Sequence, residues 1–186
     1  MSNPIPVKIV VAGGFAVGKT TFVGSISDIE PLTTEANMTK VSEEVDDVGQ
    51  ATKKGGTTVA MDFGRVSLSD ELMLYLFGTP GQDRFHFMWD ELVRGAIGAV
   101  VLVDTDRIDA CFPAIDYMEH TGVPFVVAVN AFNGELHYHP DEIRAALSIP
   151  EEIPVVVTDA RNRLAVRDTL VHLVKRALMG AATPTG

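Results

Sequence analysis

Eight residues near the start of the chain, Gly13-Gly14-Phe15-Ala16-Val17-Gly18-Lys19-Thr20, follow the pattern G-x-x-x-x-G-K-[ST]. The chemistry such a pattern performs is anion binding. Gly13 and Gly18 let the backbone wrap around phosphate without a Cβ in the way. The N–H groups of Gly13, Gly14, Ala16, Val17, Gly18, Lys19, Thr20 and Thr21 can then form a nest at a helix N-terminus, where the dipole favours negative charge. Lys19 is suited to neutralise the β- and γ-phosphates of a nucleotide, and the Thr20 hydroxyl to ligate Mg2+. The alternative is a plain glycine turn between strand and helix. A chance match in a chain of 186 residues is about a 1-in-100 event at ordinary residue frequencies.

The flanking elements suit a phosphate loop. Residues 7–12 are a β-branched run closed by Gly13-Gly14, and residues 18–27 carry the first helix pattern. Further apolar runs at 98–103, 123–129 and 154–157 predict strands, and 59–67 with 71–77 predict a hairpin around Leu68-Ser69-Asp70. Between them, 82–94, 108–120, 140–147 and 161–179 predict helices. The last has Leu164, Leu170, Leu173, Val174 and Leu178 as its expected buried stripe. Residues 28–57 show no sustained periodicity, and a stretch of about 30 such residues inside a compact domain is unusual unless functional.

Fully apolar strands between helices imply a sheet covered on both faces. The predicted fold is therefore α/β: three layers around a mostly parallel six-stranded sheet with one antiparallel edge hairpin. It forms a single domain over 1–180, with 181–186 as a disordered tail. Ligands of such sheets bind beyond the carboxyl ends of the strands.

Four segments at those ends resemble the motif set of small Ras-like GTPases, in order and spacing, over nearly the whole chain. The resemblance is to the bacterial MglA-like branch and the actinobacterial conservon GTPases. Gly78-Thr79-Pro80-Gly81-Gln82 stands where the family has D-x-x-G-Q. The resemblance implies that Gly81 touches the γ-phosphate and Gln82 orients the attacking water. Gly78 departs from the pattern, because the family's Mg2+-associated aspartate belongs there. Asp62, on the neighbouring hairpin strand, is either the substitute carboxylate or a structural residue. Thr58 resembles the switch threonine that senses the γ-phosphate through Mg2+, with Thr57 as the other candidate. No arginine precedes them. Arg84 is open to two readings, a substitute arginine finger or a surface residue of the switch helix.

Asn130-Ala131-Phe132-Asn133 occupies the N-K-x-D position. The family's aspartate accepts two N–H bonds from guanine, whereas Asn133 offers one acceptor and one donor group. Phe132 is either an apolar surface for the base or core. Thr158-Asp159-Ala160-Arg161 resembles the S-A-K loop. There Ala160 would present its N–H to guanine O6 and Arg161 would stack over the base, while Asp159 is either a base contact or the cap of the last helix.

The resemblance implies a GTPase switch. GTP with Mg2+ orders Thr58 and Gly81, slow hydrolysis through Gln82, Lys19 and Thr58 releases them, and a roadblock-type regulator is the expected partner. The alternative is a nucleotide-dependent binding module with negligible hydrolysis or relaxed ATP/GTP specificity. A small-molecule kinase fits less well, since Arg161, Arg163 and Arg167 fall on a helix pattern rather than in a lid.

Composition limits the other classes. The net charge of −10 repels nucleic acid and anionic lipid alike. One cysteine, Cys111, excludes an intrachain disulfide and suits the cytoplasm. No run approaches the roughly 20 apolar residues of a membrane span. Neither a leader nor a lipidation signal is evident, so no intrinsic membrane anchor is expected. The five histidines show no ligand spacing.

Overall fold

An apolar run with no polar face is stable as a strand only when both its faces are covered, and this chain builds its sheet from such runs. The computed structural model describes residues 3–37, 58–81 and 83–181. The strands are β1 (Ile5–Ala12), β2 (Leu32–Asn37), β3 (Thr58–Ser69), β4 (Leu72–Gly78), β5 (Ala96–Val103), β6 (Phe125–Asn130) and β7 (Val155–Thr158). They form one sheet in the order β2-β3-β4-β1-β5-β6-β7. The pairs β4–β1, β1–β5, β5–β6 and β6–β7 are parallel. The β3–β4 hairpin is antiparallel, as expected. The sheet is mostly parallel as the sequence predicts, and it has a seventh strand. Strand β2 comes from the aperiodic stretch 28–57 and pairs antiparallel with β3 at the outer edge.

Side chains alternate between two cores. Val10, Ala12, Val101, Val103, Val127 and Val129 pack on one face with Trp89, Ile115, Met118 and Ile143. Ile9, Val11, Val100, Leu102, Val126 and Ala128 pack on the other with Phe22, Val23, Ile26, Leu170 and Leu173. The helices supplying these partners are α1 (Lys19–Ile26), α2 (Trp89–Val93), α3 (Phe112–Thr121), α4 (Pro140–Ala146) and α5 (Arg163–Ala181). Each fully buried branched side chain contributes about 1.5–3 kcal/mol. Cys111 is buried, as its place in a helix pattern suggests; burial pushes its thiol up to about 12, which keeps it protonated and unreactive.

Three helix expectations need correction. The pattern at 82–94 is not one α-helix: a 3₁₀ segment, Asp83–Met88, precedes the short α2. The pattern at 108–120 is likewise divided, with a 3₁₀ segment at Thr105–Cys111 and α3 beginning at Phe112, one residue before Pro113. Gly122 ends α3 in the left-handed conformation. In α5 the buried stripe is Val166, Thr169, Leu170 and Leu173, with Val174 partly buried. Leu164 and Leu178 are 71% and 65% exposed, because they fall on the opposite side of the 3.6-residue turn.

Candidate phosphate and base site

Strand β1 delivers the chain to Gly13, and α1 departs at Lys19, so the eight-residue loop lies at the carboxyl edge of the sheet. Gly18 has φ +109°, and a Cβ there would stand 2.7 Å from the Asn130 amide nitrogen, so only glycine fits. Ala16 also adopts a left-handed conformation, at φ +59°. Arg107 reaches the carbonyl of Ala16 at 3.4 Å while its guanidinium pairs with Asp104 at 3.2 Å. A cavity of about 400 Å³ opens over the loop, lined by Phe15, Lys19, Thr20, Asp62, Thr79 and Gly81 among others.

Lys19 is buried, and its ammonium donates to the carbonyls of Gly13 (3.0 Å) and Gly14 (2.7 Å). Burial lowers its pKa to about 8, against a smaller opposing pull from Asp62. The Thr79 hydroxyl is buried with no hydrogen-bond partner among the described residues, while its N–H donates to the Val11 carbonyl. Thr79 lines the cavity although the motif does not single it out, because it stands at a variable position between Gly78 and Gly81. Gly81 sits tightly against the loop: a Cβ there would come within 2.9 Å of Lys19 Nζ and of Phe15 Cα.

The departure at Gly78 has a structural counterpart. In the hairpin register Asp62 lies directly opposite Gly78. A Cβ at Gly78 would meet Asp62 Cβ at 3.1 Å and its Oδ2 at 3.3 Å. The Asp62 carboxylate thus fills the space into which a side chain at 78 would project. It accepts the Thr20 hydroxyl at 2.7 Å. A hydroxyl and a carboxylate beside a phosphate nest are hard oxygen donors of the kind Mg2+ takes with few protein ligands. No cluster of three or more His, Cys, Asp or Glu suited to a metal occurs among the described residues. The donor set fits an ion completed by phosphate oxygens and water rather than a protein cage.

Thr58 opens β3, opposite Asn37. Gln82 and Thr57 lie outside the described residues, as do the tail beyond Ala181 and the side chains of Thr58, Arg84 and Phe85.

A buried amide ties the base loops to the phosphate loop. Asn130, buried at the end of β6, donates through Nδ2 to the Val17 carbonyl (3.0 Å) and accepts the Ala160 N–H through Oδ1 (3.1 Å). The phosphate loop, the end of β6 and the turn after β7 are thereby pinned together. The Ala160 N–H, expected to be offered to a base, is donated here to Asn130. Asn133 adopts φ +59°, and its Oδ1 accepts from Arg161 Nη1 at 3.2 Å. Arg161 also grips Asp159 through Nε (3.1 Å) and Nη2 (2.9 Å). These bonds hold the Asp159 carboxyl below the usual carboxylate range. The cap of α5 is Asn162, whose Oδ1 accepts the N–H groups of Leu164 and Ala165, so Asp159 is free of that duty. Phe132 is 43% exposed and is not core. The loop at 130–133 and the loop at 158–161 are brought together, and the phosphate loop touches both.

Fold and site together define the class: a P-loop NTPase fold of the G-domain kind. It superposes on the cytosolic domain of the T. maritima FeoB iron transporter in apo form with a TM-score of 0.66 at 17% identity. That match covers 93% of this chain and 64% of the other, so the chain spans just under two thirds of that domain. The FeoB G-domain of Methanococcus jannaschii matches with a TM-score of 0.60 at 13% identity, over 94% and 98% of the two chains. The T. maritima FeoB G domain matches at 0.62 and 18%, over 95% and 99%. At these identities the likeness is one of fold.

Residues 11–180 match the family described as conserved hypothetical ATP binding protein, and the chain belongs to that family. It is also 30% identical over 126 residues to an uncharacterized protein of Methanocaldococcus jannaschii, covering 67% of this chain and 69% of that one. No helix among the described residues is long and apolar enough to cross a membrane.

Proposed function

We propose that the protein binds GTP and GDP with Mg2+ and acts as a small bacterial Ras-like GTPase switch of slow intrinsic turnover. The observation that carries the proposal is the conjunction at one cavity of the phosphate loop, the buried Lys19 ammonium, and the Thr20–Asp62 pair. Lys19 spends its hydrogen bonds on loop carbonyls, and phosphate oxygens are the stronger, charge-matched acceptors for the same donors. Thr20, Asp62 and the Thr58 hydroxyl are the proposed holders of Mg2+. When bound, the ion would neutralise charge developing between the β- and γ-phosphates. Gly81, already packed on Lys19, and Gln82 beside it are the proposed sensors of the γ-phosphate. Release of these segments on hydrolysis is an order–disorder switch.

The switch segment offers a surface to a partner. Phe87 is 57% exposed, two residues before the buried Trp89. An exposed aromatic in the segment that follows Gly81 and Gln82 in the chain is suited to recognition by a regulatory protein, and the roadblock type is the one the family resemblance suggests. Residence in the cytoplasm accords with this role.

The test is calorimetric titration with GDP and ADP, followed by hydrolysis measured with and without the regulator. Binding of GDP that Lys19→Ala abolishes, with regulator-stimulated phosphate release, is expected. Nucleotide binding with no hydrolysis under either condition would leave only a binding module. Two observations favour that second reading: Asn133 replaces an aspartate, and the family's description names ATP rather than GTP. Single-turnover hydrolysis by a Gln82→Leu variant separates the two, since a module would show no change.

A further inference from the structure

The geometry points to Asp159 as the residue that selects the base: a carboxylate moved from the β6 loop to the β7 loop, which reads the adjacent N–H donors of a guanine-type ring edge. This rests on the nucleotide-binding proposal above and gives that site its ligand class.

The argument begins with what each loop can accept. The Asn133 amide has one acceptor oxygen, and that oxygen already takes a bond from Arg161 Nη1. The lone pair left on that oxygen stands next to the NH2, a donor. A purine edge bearing two neighbouring N–H groups needs acceptors, so Asn133 cannot read it alone. Asp159 can. Its carboxylate is joined to Asn133 through a single guanidinium, which places it beside the β6 loop at the carboxyl edge of the sheet. Its side chain is 22% exposed, neither buried in the core nor extended into solvent.

Its surroundings identify a role other than structure. Helix α5 is capped by Asn162, and Asn130 pins the β6 and β7 loops to the phosphate loop. Among the described residues the Asp159 carboxylate takes hydrogen bonds from Arg161 alone, through that residue's own N–H, Nε and Nη2. A carboxylate has about four lone-pair positions, of which three are used here, and two of those three belong to a flexible guanidinium. A base with paired donors can take the place of Nε and Nη2 on the two oxygens. The displaced guanidinium then has a planar ring within reach to stack upon. An adenine edge, with one amino donor and a ring acceptor, leaves one carboxylate oxygen facing a lone pair and is disfavoured.

The experiment uses the whole chain and two probes, GDP and ADP, with calorimetric Kd values for wild type, Asp159→Asn, Asn133→Asp/Asp159→Asn and Lys19→Ala. Asp159→Asn keeps the shape and the bond from the Arg161 N–H. It is expected to weaken GDP by roughly 10- to 100-fold, the loss of a charged acceptor, and to leave ADP within about twofold. The double variant, which returns the carboxylate to position 133, is expected to restore the GDP preference; a merely structural Asp159 would not be rescued in this way. Thermal unfolding of each variant checks the fold, and Asp159→Glu, which retains the charge, serves if Asp159→Asn does not fold. An unchanged GDP/ADP ratio in Asp159→Asn, or a ratio that the double variant fails to restore, overturns the assignment while nucleotide binding itself stands. If wild type binds neither probe, or Lys19→Ala binds both as well as wild type, the nucleotide proposal falls and takes this one with it.

Discussion

At the residue scale, the chemistry depends on a lysine held in an environment that does not favour its charge. Burial takes Lys19 from the ordinary lysine value of 10.5 to about 8. A polyphosphate would restore the charged form, so binding above pH 8 must take up a proton. The sign follows: affinity is full below about pH 8 and declines as pH rises through it. Between pH 7 and pH 9 the Kd for GDP is expected to rise about tenfold, measured by calorimetry in buffers of different ionisation enthalpy that also report the proton uptake. The Asp62–Gly78 exchange makes a second prediction. Asp62→Ala removes the acceptor of the Thr20 hydroxyl and the only described carboxylate lining the cavity. GDP affinity in wild type is expected to fall when Mg2+ is chelated, and in Asp62→Ala to be nearly independent of Mg2+. An equal Mg2+ response in both proteins would assign Asp62 a structural role.

At the element scale, strand ends and helix starts are held together by few bonds. Asn130 joins β6 to the phosphate loop and to the β7–α5 turn with two buried hydrogen bonds. Asn130→Ala leaves the Ala160 N–H without its acceptor, at a cost of about 1–3 kcal/mol. Denaturant unfolding should show that loss, and nucleotide dissociation should be faster because the loops no longer move as one. Helix α5 supplies a contrast within a single element. Leu170 is fully buried in the core shared with α1, so Leu170→Ala should cost about 2–5 kcal/mol. Leu164→Ala, on the exposed side, should fall within about 0.5 kcal/mol of wild type. Similar losses for the two variants, measured by urea midpoint at constant slope, would contradict the orientation of α5.

At the scale of the whole molecule, an anionic ligand must approach an anionic protein. The net charge of −10 sets a repulsive field around a site that is itself built to bind phosphate. Screening weakens the far field more than the buried near field. The association rate of GDP is therefore expected to rise with added salt between about 10 and 150 mM, where the Debye length falls from about 30 to 8 Å. Stopped-flow fluorescence with a labelled nucleotide measures it, and a rate that falls with salt would show that local steering by the loop outweighs the global charge.

Much of this was legible in order and spacing. The phosphate loop, its strand and its helix are contiguous, so local sequence determined them. The apolar strand runs likewise required a sheet covered on both sides. The seventh strand was not legible: Leu-Thr-Thr-Glu-Ala-Asn has no apolar run, and its pairing with β3 comes from hydrogen bonds to a strand some 25 residues away, which a local pattern does not encode. Nor was the faulty end of the α5 stripe, since Leu164 and Leu178 match the composition of a core residue and only the helix's rotation against the sheet exposes them. The sequence by itself determined which residues carry charge, and that Gly78 and Asn133 stand where the Ras-like pattern it resembles has carboxylates. It also put Asp62 on the hairpin strand next to Gly78; only the tertiary structure decided that this carboxylate fills the space at 78 and accepts from Thr20, and that Asp159 meets Asn133 across one arginine. Those placements depend on strand register and loop apposition, and both are settled by packing between segments distant in the chain.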